Sequence, residues 1–221
     1  MGFQAGEQRP VPRPASATPE TLAYLRDYAA LLEAVSFPSF VLDRAWGVVL
    51  ANEAFRALFR DMGPHPSAMP DENFLRFVLF HPDAASVLGE HESRWCLPML
   101  AQFASALERD GGHEDVLRDI RQEIAQDPIM DVAYRHGLPH WVRAVGEQAV
   151  EHDGAVRPLL HPDPRWGATE CRFVVETPGR LERLGFTRST MVLREAPRRS
   201  HRPRRRRRPT GHLRAVPAAT D

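Results

Sequence analysis

Between Pro38 and Phe59 the chain reads PSFVLDRAWGVVLANEAFRALF, two short apolar segments followed at once by an asparagine-led amphipathic run. No other stretch restricts the fold as tightly. Phe40 to Leu42 and Val48 to Leu50 are built from the strand formers Val, Leu and Phe, and the Asp43 to Gly47 stretch between them has the polar and glycine content of a hairpin loop. Asn52 then reads as an N-cap whose side-chain oxygen accepts from first-turn amides. Phe55, Leu58, Phe59 and Met62 share one helical face behind it, and Gly63-Pro64 is the stop. A hairpin that runs straight into a helix points to an α+β arrangement.

The length of 221 residues and a hydrophobic content of 43% allow one sizeable core with tails, not two independent cores. Residues 1–18, rich in Pro, Ala and Gly, have almost nothing to bury and are expected to be disordered. The same holds for residues 196–221, leaving 19–195 as the folded domain. No run approaches the roughly 18 apolar residues of a membrane span, and the N-terminus lacks the apolar centre of a secretory signal. A soluble, cytoplasmic protein without a membrane partner is the expectation. Cys96 and Cys171 stand far apart without metal or redox spacing and read as buried thiols. All 29 basic residues are arginine, balanced by 29 acids. Residues 196–221 hold nine arginines against Asp221, or +8, so residues 1–195 carry −8, and body and tail have opposite fields.

Thr18-Pro19-Glu20 is a helix start with the N-cap and N1 preferences satisfied, and Leu22, Leu25, Ala29, Leu32 and Val35 give that helix an apolar stripe. Asp71 is the expected N-cap of ENFLRFVLF, which His81-Pro82 ends. A longer pattern through Leu88, Trp95, Met99, Phe103 and Leu107 runs to Gly111-Gly112, with a bend expected near Cys96 to Pro98 because an internal proline removes a backbone hydrogen bond. Val116 to Ile124 is the next helix, with Glu114 four residues before Arg118. Asp127-Pro128 caps a short one that is expected to close near Gly137, and a weaker helix covers His140 to Val150. The pattern then turns to strands at Val156 to Leu160, Thr169 to Val175 and Thr187 to Leu193. Helix, two strands, a helical block and three strands together predict a PAS-like antiparallel sheet of about five strands with the inserted helices covering one face.

Four segments carry a family resemblance. PSFVLDRAWGVVLAN with AFRALF, NFLRFVLFHP from Asn73 to Pro82, DPIMDVAYRH ending in Arg135 and His136, and His161-Pro162 with Gly167 together resemble the MmyB-like ligand-binding domain of bacterial transcription regulators. Trp95 falls where that family has a helical Trp. Ala51, Ala133 and His81 depart from the Trp, Trp and Asp expected at those positions, and Leu138 to Val156 is longer than the family pattern. The resemblance implies a sensor that binds a small apolar or amphipathic ligand, fatty-acid-like, and reports to a DNA-binding unit. The 18 residues before the first helix leave no room for a helix-turn-helix, so a separate DNA-binding regulator, or a homodimer, is the expected partner.

Seven of the eleven phenylalanines lie between Phe37 and Phe80. Phe40, Leu42, Asn52, Phe55, Phe59, Phe74, Phe77, Trp95 and Met99 are the candidate cavity lining, with Arg76 and His136 as candidate carboxylate anchors beside Arg135. Ordinary core packing explains the same aromatic spacing. His136 and His140 are separated by Gly137 and Pro139, so no metal site is expected. No nucleophile elbow, phosphate loop or HExxH occurs, so neither an enzyme nor a cofactor is expected. Arg204, Arg205, Arg206, Arg207 and Arg208 form the one strong electrostatic motif. They support an alternative reading, a nucleic-acid-associated protein that contacts phosphates without reading sequence.

Overall fold

The computed structural model describes residues 18–110 and 115–194. Helix α1 (Pro19–Glu33) starts as its sequence dictates: the Thr18 hydroxyl accepts from the Thr21 amide at 3.2 Å, and Pro19 occupies the first turn. Strands β1 (Ser39–Leu42) and β2 (Val48–Ala51) form the hairpin. Its loop is tied by Asp43, whose Oδ1 accepts from the Ala45 amide at 2.9 Å and the Gly47 amide at 2.7 Å. Gly47 is required there, because a Cβ would stand 2.5 Å from the Asp43 carboxylate.

Helix α2 (Glu53–Leu58) is shorter than its apolar spacing suggests. Phe59 leaves the helical path at φ −113° and ψ 15°, and its ring meets Phe77 edge-on at 4.9 Å. Helix α3 (Phe74–Phe80) is capped by Asn73, not Asp71. Asn73 Oδ1 accepts from the Arg76 amide at 2.9 Å while its Nδ2 donates to the Ala45 carbonyl at 2.8 Å, so one side chain starts the helix and fastens it to the hairpin. His81 ends α3 as expected.

Two prolines that ought to break helices do not. Helix α4 (Leu97–Asp110) follows a π-helical turn, Glu92–Cys96, in which the Leu97 amide bonds back to Glu92. Helices α5 (Asp115–Gln126) and α6 (Pro128–Val132) come next, and a second π-helical turn, Ala133–Gly137, joins α6 to α7 (Leu138–Val145) through a Leu138 to Ala133 bond. The wide turn ahead of Pro98 and of Pro139 moves aside the carbonyl that the ring would strike and that would lack a donor. The helix expected to close at Gly137 therefore runs through it, and the bend expected at Pro98 is a bulge within a continuous helix. Gly111-Gly112 and Glu114 lie outside the described residues, as do residues 1–17 and the tail with Arg204 to Arg208.

Strands β3 (Val156–Leu160), β4 (Ala168–Glu176) and β5 (Thr187–Arg194) complete the sheet, with a short helix α8 (Gly179–Arg183) between β4 and β5 that the sequence reading did not contain. All neighbours are antiparallel and the order is β2-β1-β5-β4-β3, so β5 returns from the chain end to bridge the opening hairpin and the closing strands. This is the expected α+β plan of five strands with helices inserted after the second. One face of the sheet packs on the inserted helices through Phe40, Leu42, Phe173, Met191 and Leu193. The other carries a smaller cluster, in which Leu25, Tyr28 and Leu32 of α1 meet Val41, Val49 and Leu50, with Leu181 and Phe186 alongside. Among the described residues no helix is long and apolar enough to cross a membrane.

Candidate functional site

The phenylalanines expected to wall a cavity pack on one another. Phe40, Phe55, Phe74 and Phe77 are at most 1% exposed. Their ring centroids approach to 4.6 Å for Phe40 and Phe55 and 5.2 Å for Phe40 and Phe74, with Phe59 bridging Phe55 and Phe77 at 4.9 Å on each side. Such tilted and edge-on contacts are favourable in themselves. Met99 is fully buried beside them.

Asn52 is a latch. Its Oδ1 accepts from the Phe55 and Ser39 amides at 3.0 and 2.9 Å, and its Nδ2 donates to the carbonyls of Val35 and Phe37 at 2.9 Å and of Leu32 at 3.3 Å. One side chain therefore caps α2 and holds the end of α1 to the hairpin. Arg76 pairs with Glu123 at 2.7 Å. His136 is exposed on the second π-helical turn, and Arg135 there binds Asp131 at 2.6 Å.

Room remains at the other end of the same sheet face. A half-open cavity of about 630 Å³ lies between the helical layer and the ends of β1, β4 and β5. Leu42, Val175, Thr187 and Ser189 form its sheet wall, and Gln102, Ser105, Ala106 and Arg109 of α4 form its roof. Trp46 at the hairpin tip, held at a positive φ of 61°, and Leu117 of α5 close one side, and His152 closes the other. Its volume falls within the ~300–1,000 Å³ range of small-molecule sites, and its lining mixes aliphatic, aromatic and hydroxyl groups with the charged Asp43, Arg44 and Arg109. Of the residues singled out from sequence for the lining, Leu42 alone among the described residues faces this space.

His152 of this wall belongs to a pair with Arg157 that the residue pattern did not single out. The His152 ring lies 4.1 Å from the Phe173 ring centroid, and its Nδ1 accepts from Gln102 Nε2 at 3.1 Å and from Arg157 Nη2 at 3.3 Å. Burial first, and the Arg157 charge second, push its pKa down to about 3, so the ring is neutral and carries its proton on Nε2. Arg157 itself is 3% exposed, with its guanidinium 5.1 Å from the Trp95 ring and 5.3 Å from that of Phe173. Trp95 is fixed beneath it by an Nε1 bond to the Pro158 carbonyl at 3.0 Å. The signal for Arg157 was the two-residue alternation of β3, which puts it on the same face as buried Leu159.

The model of the family described as MmyB-like transcription regulator ligand binding domain matches residues 26–146, just over half of the chain. No curated protein matches it. The matched stretch carries most of α1, the opening hairpin and the helical layer through α7, so the roof of the cavity and one of its sheet walls lie within it. Strands β3 to β5 follow beyond it and complete the sheet. On a match that covers more than half of its length, this chain belongs to the family of MmyB-like transcription regulator ligand-binding domains.

Proposed function

We propose that the protein is a non-catalytic sensor that takes a fatty-acid-like amphipathic molecule into the cavity between α4 and strands β1, β4 and β5, and reports occupancy to a DNA-binding unit. The observation that carries this reading is the 630 Å³ cavity on the helix-covered face of the sheet in a chain of this family. Its aliphatic and aromatic wall takes an acyl segment, while Ser105, Thr187, Ser189 and the His152 Nε2–H supply polar contacts.

Occupancy reaches the far side of the sheet through β1. Leu42 faces the cavity, and the adjacent Val41 belongs to the cluster that holds Leu25 and Leu32 of α1. The Asn52 latch fixes the end of α1 to the same hairpin. A ligand that prefers one packing of β1 against α4 shifts the population of α1 positions, and α1 is the output element.

The test is a thermal-shift titration with decanoate and decanol, combined with extraction and native mass spectrometry of the purified protein. A saturable rise in Tm or a co-purifying small molecule is expected. Ala106→Trp, which fills the cavity from its roof, should abolish the shift while the protein still unfolds cooperatively. No shift with either compound and no extracted molecule would overturn the reading, as would a full shift in the Ala106→Trp variant.

A further inference from the structure

A second cavity, of about 450 Å³, opens on the other side of the His152 and Arg157 contact and shares no lining residue with the first. It lies between the first π-helical turn, α7 and the start of β3, with Trp141 and Pro98 as apolar walls and Arg94 and Arg157 as its cations. We propose that this groove binds a small oxyanion, a carboxylate or phosphate group whose first contact is the guanidinium fork of Arg157 and whose second is Arg94.

Among the described residues, three arginines have a buried side-chain nitrogen without a hydrogen-bond partner: Arg76, Arg157 and Arg188. Arg76 reaches the Glu123 carboxylate at 2.7 Å and Arg188 reaches that of Glu176 at 3.2 Å. Arg157 reaches no carboxylate among the described residues. Its Nη2 is spent on a neutral imidazole and its Nη1 is unpartnered.

A buried cation stays in a protein interior when an anion or a full set of acceptors compensates it, and the two aromatic rings beside Arg157 supply only part of that compensation. Burial depresses its pKa to about 10, with Cys171 opposing the shift and Arg94 adding to it. Arg94 is exposed, and its Nη2 is anchored on the Val156 carbonyl at 3.0 Å, which holds a second positive charge at the groove. Two acids, Asp153 and Glu151, also line the groove; Asp153 Oδ1 accepts from the Val175 amide at 2.9 Å, and among the described residues neither acid forms an ion pair with Arg94 or Arg157. A carboxylate or phosphate matches the planar fork of Arg157 in a way that chloride does not.

The experiment titrates the protein with acetate and with inorganic phosphate, against sodium chloride at matched ionic strength, by calorimetry and by thermal shift. A saturable response to at least one oxyanion that chloride does not reproduce is expected, and the comparison of acetate with phosphate tells which group the site prefers. Arg157→Met should remove that response, and in anion-free buffer its Tm should equal or exceed that of the parent protein, since the substitution deletes an uncompensated buried charge. Arg94→Gln, on the surface, should weaken binding about 3- to 10-fold. Should Arg157→Met not fold, Arg157→Lys, which keeps the charge and loses the fork, should bind at least about tenfold more weakly. Equal responses to acetate, phosphate and chloride would overturn the proposal. So would oxyanion affinity unchanged in both Arg94→Gln and the Arg157 variant. Because decanol carries no charge and the Ala106→Trp probe lies in the other cavity, failure here leaves the sensing reading standing, and failure there leaves this one.

Discussion

Two ends of one sheet face are built on opposite plans. Where β1 meets α2 and α3, aromatic rings interlock and exposure falls to nearly zero. Where β4 and β5 meet α4, the inward side chains are Val175, Thr187 and Ser189, and α4 answers with Gln102, Ser105 and Ala106. Small and hydroxyl-bearing groups facing each other cannot fill the space that rings fill. The cavity is thus a consequence of side-chain volume on a common backbone plan, and the solid end holds the frame against which the open end can change.

The comparison breaks first at the aromatic end. Phe40→Ala should cost about 3–5 kcal/mol in urea unfolding, because a fully buried ring touching Phe55 and Phe74 leaves a void that its neighbours cannot close. A loss below about 1.5 kcal/mol would mean that this end is as loosely filled as the other. Asn52→Ala should follow at about 2–3 kcal/mol, since it removes a cap and strands the Val35 and Phe37 carbonyls and the Ser39 amide. Hydrogen exchange should then rise at the C-terminal end of α1 before it rises in β4.

Acid sharpens the contrast at the open end. His152 is held neutral with its pKa lowered to about 3, whereas the unfolded chain protonates this ring near the ordinary value of about 6.5. Its contribution to stability is therefore complete above about pH 6.5 and is lost as pH falls from there toward 3, at up to about 1.4 kcal/mol per pH unit. His152→Asn should flatten the acid limb of a stability profile by as much as one proton, and an unchanged limb would remove the buried neutral imidazole from the account. Ala106→Trp is expected to change stability least, by less than about 1.5 kcal/mol, because it enters existing space. A larger loss would show that the open end is tighter than its volume indicates.

Much of the frame was legible from local chemistry. Thr18, Asn52 and Asp127 cap the helices that their side chains specify, and the five strands fall where β-branched and apolar residues cluster. Misreadings arose where distant partners decide. Asn73 takes the place of Asp71 as the cap, and its side chain also reaches Ala45 across the hairpin. The helix that runs on through Gly137 and Pro139, like the one through Pro98, depends on a π-helical turn one step earlier, which leaves no mark in residue type. The candidate lining was drawn from aromatic spacing, which describes a face and is silent on whether that face meets a ring or a gap.

The order of elements, the family and the aromatic frame can be read along the chain, because capping, periodicity and hydrophobic burial act over a few residues and are written in neighbouring side chains. Where space remains, and which buried charge meets no carboxylate among the described residues, follow from the folded arrangement. Those depend on what two segments far apart in the chain place opposite each other: Ser189 against α4, and Arg157 against Trp95, Phe173 and His152.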